Sequence, residues 1–253
     1  MRVLLIPTHW ESQAVLRSLR GAVLEPGWDV CAWRVGDLLL IESGIGPELT
    51  AALLPRIESL KPQVVWLFGW CGGLVPELAV GDLVLADATI FSAGADKSIA
   101  RIPHPPSEPL AAQLRCIAEQ LGRQLVVGPV LTSDKVLANV EQKRAAAATG
   151  AVAVEMEAGP LARWTTAWSV PFVHLRVVLD PVTSALPPIH LPGGEQDHAR
   201  THTLLLHALT RPCEWPALWS LIRQARTACR TMTDVMTALT RPDGPLAPTA
   251  FAV

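Results

Sequence analysis

The chain has 253 residues, half of them apolar and only 17% charged, which excludes a largely disordered protein and allows one sizeable core. A formal net charge of −2 supplies no electrostatic ground for a nucleic-acid partner. No apolar run reaches the ~18 residues of a membrane-spanning helix, and Met1-Arg2-Val3-Leu4-Leu5-Ile6-Pro7 is too short for a signal peptide.

Runs rich in Val, Leu and Ile at 2–6, 29–34, 37–42, 63–68, 82–91, 124–131, 151–155 and 172–178 predict strands covered on both faces. Helical patterns fall between them at 11–19, 47–60, 108–121, 138–148 and 157–168. Gly36-Asp37 reads as a hairpin turn, so the sheet is predicted to be mixed. Residues 92–109, with four prolines and no periodicity, read as a surface loop, and 181–197 as a second. Two further helices are predicted near 198–210 and 214–239, broken at Arg211-Pro212. The fold class is therefore α/β: one domain over 1–240, a central twisted mixed sheet flanked by helices, with two extra C-terminal helices. Residues 241–253, with three prolines, read as a loose tail. Five cysteines, an odd count without CxxC spacing, predict a reduced, cytoplasmic setting.

Five features recur at predicted strand ends. Ser43-Gly44-Ile45-Gly46-Pro47 joins a strand to a helix and is either a tight turn or a backbone N–H site for an anion or sugar hydroxyl. Its spacing is not GxGxxG, so a dinucleotide site gains little. Phe68-Gly69-Trp70-Cys71-Gly72-Gly73 is a second glycine-rich turn, where a backbone can approach a ligand closely. In Val154-Glu155-Met156-Glu157-Ala158 the two carboxylates are helix N-terminal charges or, by strand alternation, a pair facing one way. Asp180 ends a buried strand before Pro181, as a turn starter or a catalytic acid. Glu11 follows the first strand, as an early helix acid or a working carboxylate.

In order, these pieces resemble the purine nucleoside phosphorylase and nucleosidase superfamily, from residue 1 to about 183. SGIG, a Gly-x-x-Gly-Gly turn, VGDLVLAD (80–87), VEMEA and Val-Pro-Phe-Val with Asp180 beyond it are similar to the 5′-methylthioadenosine/S-adenosylhomocysteine nucleosidases. Asp180-Pro181, Ala185-Leu186-Pro187-Pro188 and the Arg-Pro-broken helix pair look closest to the hopanoid-associated phosphorylases, assigned the removal of adenine from adenosylhopane. The resemblance implies that Asp180 protonates the departing purine at N7, Glu157 holds the ribose hydroxyls with Met156 against the sugar, and Glu11 activates a water. It implies base contacts from Ser133, Asp134, Val136 and Leu137, beside which Gly44, Gly46, Gly69, Trp70, Gly72 and Gly73 of the two glycine-rich turns are candidate site residues. No cofactor or metal is implied, phosphate being a co-substrate only in a phosphorylase, and a homodimer is expected, the partner copy closing the pocket. Such chemistry needs an acid at the leaving group and anions near an oxocarbenium-like sugar, so Asp180 should titrate high.

Three departures matter. Leu67 and Trp70 stand where hexameric phosphorylases place an Arg and a Ser on phosphate, which favours water as nucleophile. Trp70-Cys71 replaces smaller residues in the glycine-rich turn. Val136 replaces the Phe that stacks on the base.

Elsewhere, His198 and His202 share a helix face but lack a third ligand, so a solvated face is predicted. Arg176, inside an apolar strand, requires an acidic partner such as Glu155. Trp215, Leu218, Trp219, Ile222 and Ala225 form an apolar stripe that is core, an interface or the wall of a channel for a lipid-like tail. The substrate expected is an adenine nucleoside of the adenosylhopane type. Methylthioadenosine, S-adenosylhomocysteine or futalosine are the alternatives, and a binding protein without turnover is the reading from another class.

Overall fold

A computed structural model describes residues 1–93, 98–184 and 215–247. The strands are β1 (Arg2–Ile6), β2 (Val23–Leu24), β3 (Ala32–Val35), β4 (Leu38–Glu42), β5 (Val64–Gly73), β6 (Leu83–Ala93), β7 (Ser98–Pro103), β8 (Leu125–Thr132), β9 (Ala153–Glu155) and β10 (Phe172–Asp180). The helices are α1 (His9–Leu16), α2 (Pro47–Ser59), α3 (Glu108–Gln120), α4 (Val140–Ala147), α5 (Ala158–Ala167) and α6 (Trp215–Leu239). The result is the predicted α/β arrangement, a mixed sheet with helices on both faces.

Strand alternation builds two cores. Leu4, Ile6, Trp66 and Phe68 point toward α1, α3 and α6, where Val15, Leu114, Met232 and Val235 are buried. Their neighbours Val3, Leu5, Val65 and Leu67 point the other way, onto Ile57 of α2 and Leu161 of α5. A two-residue period on strands covered by helices requires apolar residues at every position, which is why these runs are uninterrupted.

The sheet runs β10-β6-β8-β9-β5-β1-β4-β3-β2, and β10 also pairs with β5. The strands β5, β10, β6, β8 and β9 therefore close into a ring. Within it Gly72 lies opposite both Val154 of β9 and Asp180 of β10, and Gly73 opposite Ala153. Closure brings the ends of β9 and β10 to the second half of β5.

Four expectations are corrected. The predicted loop at 92–109 contains β7, antiparallel to β6 from Ala88↔Pro103 to Ala93↔Ser98. Of the four prolines only Pro103 belongs to the strand, at its last residue, where a missing N–H is tolerated, while Pro109 sits in the first turn of α3. The short β2, paired with Trp33 and Arg34, has no periodicity to betray it, and the strand predicted at 29–34 lies at 32–35. Residues 241–247 of the expected loose tail are packed: Leu246 is fully buried, and Arg2 donates to the carbonyls of Pro245 and Ala247 at 3.0 and 2.6 Å. The apolar stripe of Trp215, Leu218, Trp219, Ile222 and Ala225 is not core: Trp215 and Trp219 are 47% and 58% exposed and the other three partly buried, while α6 buries Ala228, Met232, Val235, Met236 and Leu239 farther along. The helix predicted at 198–210, with His198 and His202, and most of the 181–197 loop lie outside the described residues. Among the described residues no helix is long and apolar enough to cross a membrane.

Candidate active site

Glu11 is fixed first by its own helix. Thr8-x-x-Glu11 is a capping box: the Thr8 hydroxyl accepts the Glu11 N–H at 3.3 Å, and Glu11 Oε2 accepts the Thr8 N–H at 2.9 Å and its hydroxyl at 2.5 Å. Oε1 reaches across to accept the Trp70 N–H at 2.5 Å. The helix-acid reading of Glu11 is thus true, and half its carboxylate still faces β5. A carboxylate oxygen has two acceptor sites, so Oε1 retains one beyond Trp70. Burial raises the Glu11 pKa; Thr8, Trp70 and the Arg176 charge pull it back.

Arg176 is the centre of the constellation and is fully buried on β10. Its Nε donates to His174 Nε2 at 2.9 Å and NH1 to the Trp70 carbonyl at 3.3 Å. NH2 donates to Glu155 Oε2 and to Glu157 Oε2, the latter at 3.1 Å. The two carboxylates of Glu155-Met156-Glu157 thus converge on one guanidinium, one of the two readings left open for them, with Glu157 beyond the end of β9 at the N-cap of α5. Their duties differ. Glu155 also accepts the N–H groups of Glu157 and Ala158 at 2.8 and 2.9 Å, capping α5, and the hydroxyl of Thr132. Glu157 accepts the Gly46 N–H at 3.2 Å, which ties the first glycine-rich turn to the cluster. Gly46 has φ 107, a conformation side chains disfavour, and opens α2 there.

Burial pushes the Glu157 carboxyl up to about 8, against the lowering pull of Arg176 and with the charges of Glu155 and Glu11 adding to the rise. Among the described residues one cation, Arg176, faces these three buried glutamates, and the balance favours the protonated form of Glu157. His174 is neutral for the same reason, since burial and the adjacent guanidinium drive its pKa well below 6.5.

Gly69 explains how the cluster fits. A Cβ there would stand 2.7 Å from Arg176 NH1, 2.7 Å from Glu11 Oε1 and 2.8 Å from Pro7 Cδ. Trp70 enters by its backbone: the amide serves Glu11 and the carbonyl Arg176, while the half-buried indole packs against the opposite core. Its indole N–H is buried without a partner among the described residues. Leu67, the other position compared with phosphate ligands, is sealed in the α2–α5 core.

Asp180 lies opposite Gly72, three residues farther along β5 than Gly69 and so about 10 Å away at strand rise, the scale of a nucleoside. It is 4% exposed and forms an ion pair with Lys143 of α4. Burial raises its pKa to about 6, with the Lys143 charge opposing. Met156 is half-buried between the two carboxylates. Beyond β8, the Ser133 hydroxyl donates to the Lys135 carbonyl at 2.7 Å and the Ser133 N–H to the Glu155 carbonyl at 2.8 Å. Asp134 and Val136 are exposed, whereas Leu137 packs beside Leu74, Ile90 and Val154. The structure therefore gathers Glu11, Trp70, Gly46, Gly69 and Glu157 around Arg176 and sets Asp180 along the same strand end. Sequence reasoning missed Lys143, Thr132 and the His174 contact; for Thr8 the signal was present, in the capping-box spacing.

The ring of strands, with buried carboxylates at two levels of one strand end, is shared in its fold with solved nucleosidase structures. A family profile described as the phosphorylase superfamily matches residues 20–214. The 5′-methylthioadenosine/S-adenosylhomocysteine nucleosidase of Staphylococcus aureus (strain JH9) is 32% identical over 161 residues, 57% of this chain and 68% of that one. Among solved structures, the nucleosidase of the same description from Helicobacter pylori has a TM-score of 0.68 at 19% identity, covering 94% of this chain and 96% of its own. Futalosine hydrolase of Helicobacter pylori strain 26695 has a TM-score of 0.69 at 19% identity, covering 94% and 95%. This chain belongs to the phosphorylase superfamily.

Proposed function

We propose that the protein cleaves the N-glycosidic bond of an adenine nucleoside with water as nucleophile. The observation that carries the choice of water is the surrounding of Glu11. Its Oε1 faces β5 beside the Trp70 N–H, Leu67 is sealed in apolar core, and Arg176 is already engaged by Glu155 and Glu157. No guanidinium or hydroxyl at this turn remains to hold a phosphate dianion among the described residues.

Asp180 is assigned as the acid: protonated, it gives its proton to N7 of the purine as the C1′–N9 pair withdraws into the base. Glu157, with Met156, binds the ribose hydroxyls. Glu11 takes a proton from the water that adds to C1′. The positive charge growing on the sugar lies near the carboxylates of Glu11 and Glu155, which a low-dielectric site makes effective. The base lies against Ser133, Asp134, Val136 and Leu137.

For the substrate, an adenosylhopane-type nucleoside is the reading we favour. Trp10, the neighbour of Glu11 on α1, is 70% exposed, and α6, whose Cys229 thiol meets the Trp10 carbonyl at 3.9 Å, extends from it with Trp219 and Trp215 outward. Exposed tryptophans on the helix of the water-activating residue and on the helix packed against it suit a ligand with a greasy 5′ extension. Methylthioadenosine or S-adenosylhomocysteine is the second reading, supported by the Staphylococcus aureus relative. A second copy of the chain completing the pocket belongs to the same proposal.

Adenine release is measured with adenosylhopane, methylthioadenosine and S-adenosylhomocysteine, each with and without phosphate. The proposal expects release indifferent to phosphate and fastest with the lipid nucleoside. Phosphate-dependent turnover would remove water, preference for methylthioadenosine would remove the lipid substrate, and adenine binding without any release would leave only a binding protein.

A further inference from the structure

A fully buried lysine behind the proposed acid has no place in the scheme above. Lys143 lies on α4 with no exposed surface. Its Nζ donates to Asp180 Oδ2, to the carbonyls of Pro181 and Ser184 at 2.9 Å each, and to the Asp180 carbonyl at 3.5 Å. Placing an ammonium in a protein interior costs several kcal/mol before any pairing, whereas an apolar helix face over the same strands would cost nothing of the kind.

We propose that Lys143 is a positioning residue for the reaction, engaging Asp180 Oδ2 so that Oδ1 is the oxygen that carries the proton to the base, and holding the acid in a usable range of pH. The inference rests on the reading of Asp180 as the acid.

Three observations support it. The pairing is one-sided: Lys143 binds Oδ2 and not Oδ1, while the carboxyl as a whole lies over Gly72, its Oδ1 and Oδ2 3.5 and 3.6 Å from where a Cβ would stand. The same ammonium binds the carbonyls of Pro181 and Ser184, so it sets the path of the chain leaving β10 as well as the carboxyl. And α4 follows directly on the segment 133–139, its Asn139 cap accepting the Gln142 N–H at 2.8 Å, so one short helix joins the proposed base contacts to the acid.

Electrostatically, burial raises the Asp180 pKa and Lys143 lowers it, leaving about 6. The other titratable group packed here is Cys71 on β5, kept a neutral thiol by burial. Arg176 of β10 and Glu155 of β9 act on that same thiol with opposite sign and are paired with each other. Without the lysine charge the carboxyl would rise further, by the roughly 1–3 units an opposite charge at close range is worth. In turnover the Asp180 Oδ1 proton goes to N7, the bond to C1′ breaks toward the base, and the resulting carboxylate stays paired with an unchanged ammonium until solvent returns a proton.

The test is the pH profile of kcat/KM for adenine release in Lys143→Met, Lys143→Arg and Asp180→Asn. Because the protonated acid is the active form, the alkaline limb should move upward by roughly 1–3 pH units in Lys143→Met and stay near the wild-type position in Lys143→Arg. A folded Lys143→Met with an unmoved limb, or a Lys143→Arg shifted equally far, would overturn the inference while leaving Asp180 as acid. An active Asp180→Asn would instead defeat the acid itself. If Met at 143 prevents folding, carboxyl-¹³C NMR titration of Asp180 in Lys143→Gln, assigned against Asp180→Asn, reads the same shift without turnover, and an unshifted resonance overturns the inference equally.

Discussion

Removal of the guanidinium at position 176 is the most searching test of the carboxylate cluster. Arg176→Met keeps an unbranched apolar stem in the strand and deletes four donated hydrogen bonds, two of them to carboxylates. Glu155 keeps three donors, from Thr132, Glu157 and Ala158, and Glu157 keeps the Gly46 N–H, so neither is stripped. What disappears is the one countercharge, among the described residues, to three buried glutamates. Breaking a buried ion pair from one side costs about 3–5 kcal/mol when the remaining charge persists. Here the charge can be discharged by a proton. Glu157 already titrates near 8, and Glu11 is raised above its ordinary 4.5; loss of Arg176 raises both further. A carboxyl whose folded pKa lies above the unfolded value stabilises the fold fully below about 4.5, and that contribution is lost as pH climbs through the folded pKa. The destabilisation of Arg176→Met should therefore be smallest near pH 5 and reach about 3–5 kcal/mol at pH 8–9. Urea unfolding of wild type and variant at both ends of that range measures it. An equal loss at pH 5 and pH 9, or a loss under about 1 kcal/mol at pH 9, would refute the account of the cluster as protonation-buffered.

Three further outcomes follow from the same geometry. Asp180→Asn should abolish adenine release and also lower stability by about 3 kcal/mol, because Lys143 is left without its anion; release assays and unfolding curves read the two effects separately. Gly69→Ala, whose methyl would enter the space between Arg176 NH1 and Glu11 Oε1, should cost about 1–3 kcal/mol in denaturation and a large part of kcat/KM. In the wild type, kcat/KM for adenine release should fall as pH rises through about 6, where Asp180 gives up its proton, and an activity flat from pH 5 to 8 would contradict that assignment.

The strands were legible because a sheet covered on both faces leaves an unbroken apolar trace, as at 63–68 and 172–178. So was the pairing of Arg176 with Glu155, since an interior charge demands an opposite one. For Glu155 and Glu157 both readings left open by the sequence hold, since they meet on one guanidinium while Glu155 also caps α5. β7 escaped because its strand pairing is concentrated in six residues beside a proline cluster, and local composition outweighed a weak alternation. Lys143 escaped for a different reason: in Val-Glu-Gln-Lys-Arg-Ala-Ala-Ala it sits among charges on a short helix, where solvation is the ordinary fate of a lysine, and its partners at Asp180, Pro181 and Ser184 are 37 to 41 residues away in sequence. The half-exposed stripe of α6 could not be read at all, since periodicity states which face is apolar and not what covers it.

The manner in which Trp70 joins the site has a consequence for how this scaffold can change. Its amide and carbonyl hold Glu11 and Arg176, and any residue except proline, which lacks the N–H, offers those two groups in the same strand conformation. The indole looks toward the opposite side of the sheet, among the residues packed under α1 and α6. Chemistry and filling are thereby uncoupled at one position. A library randomised at 70 should vary the bulk beneath the two helices while the electrostatic frame on the other side stays fixed, which makes this turn a place to reshape the molecule without rebuilding its carboxylates.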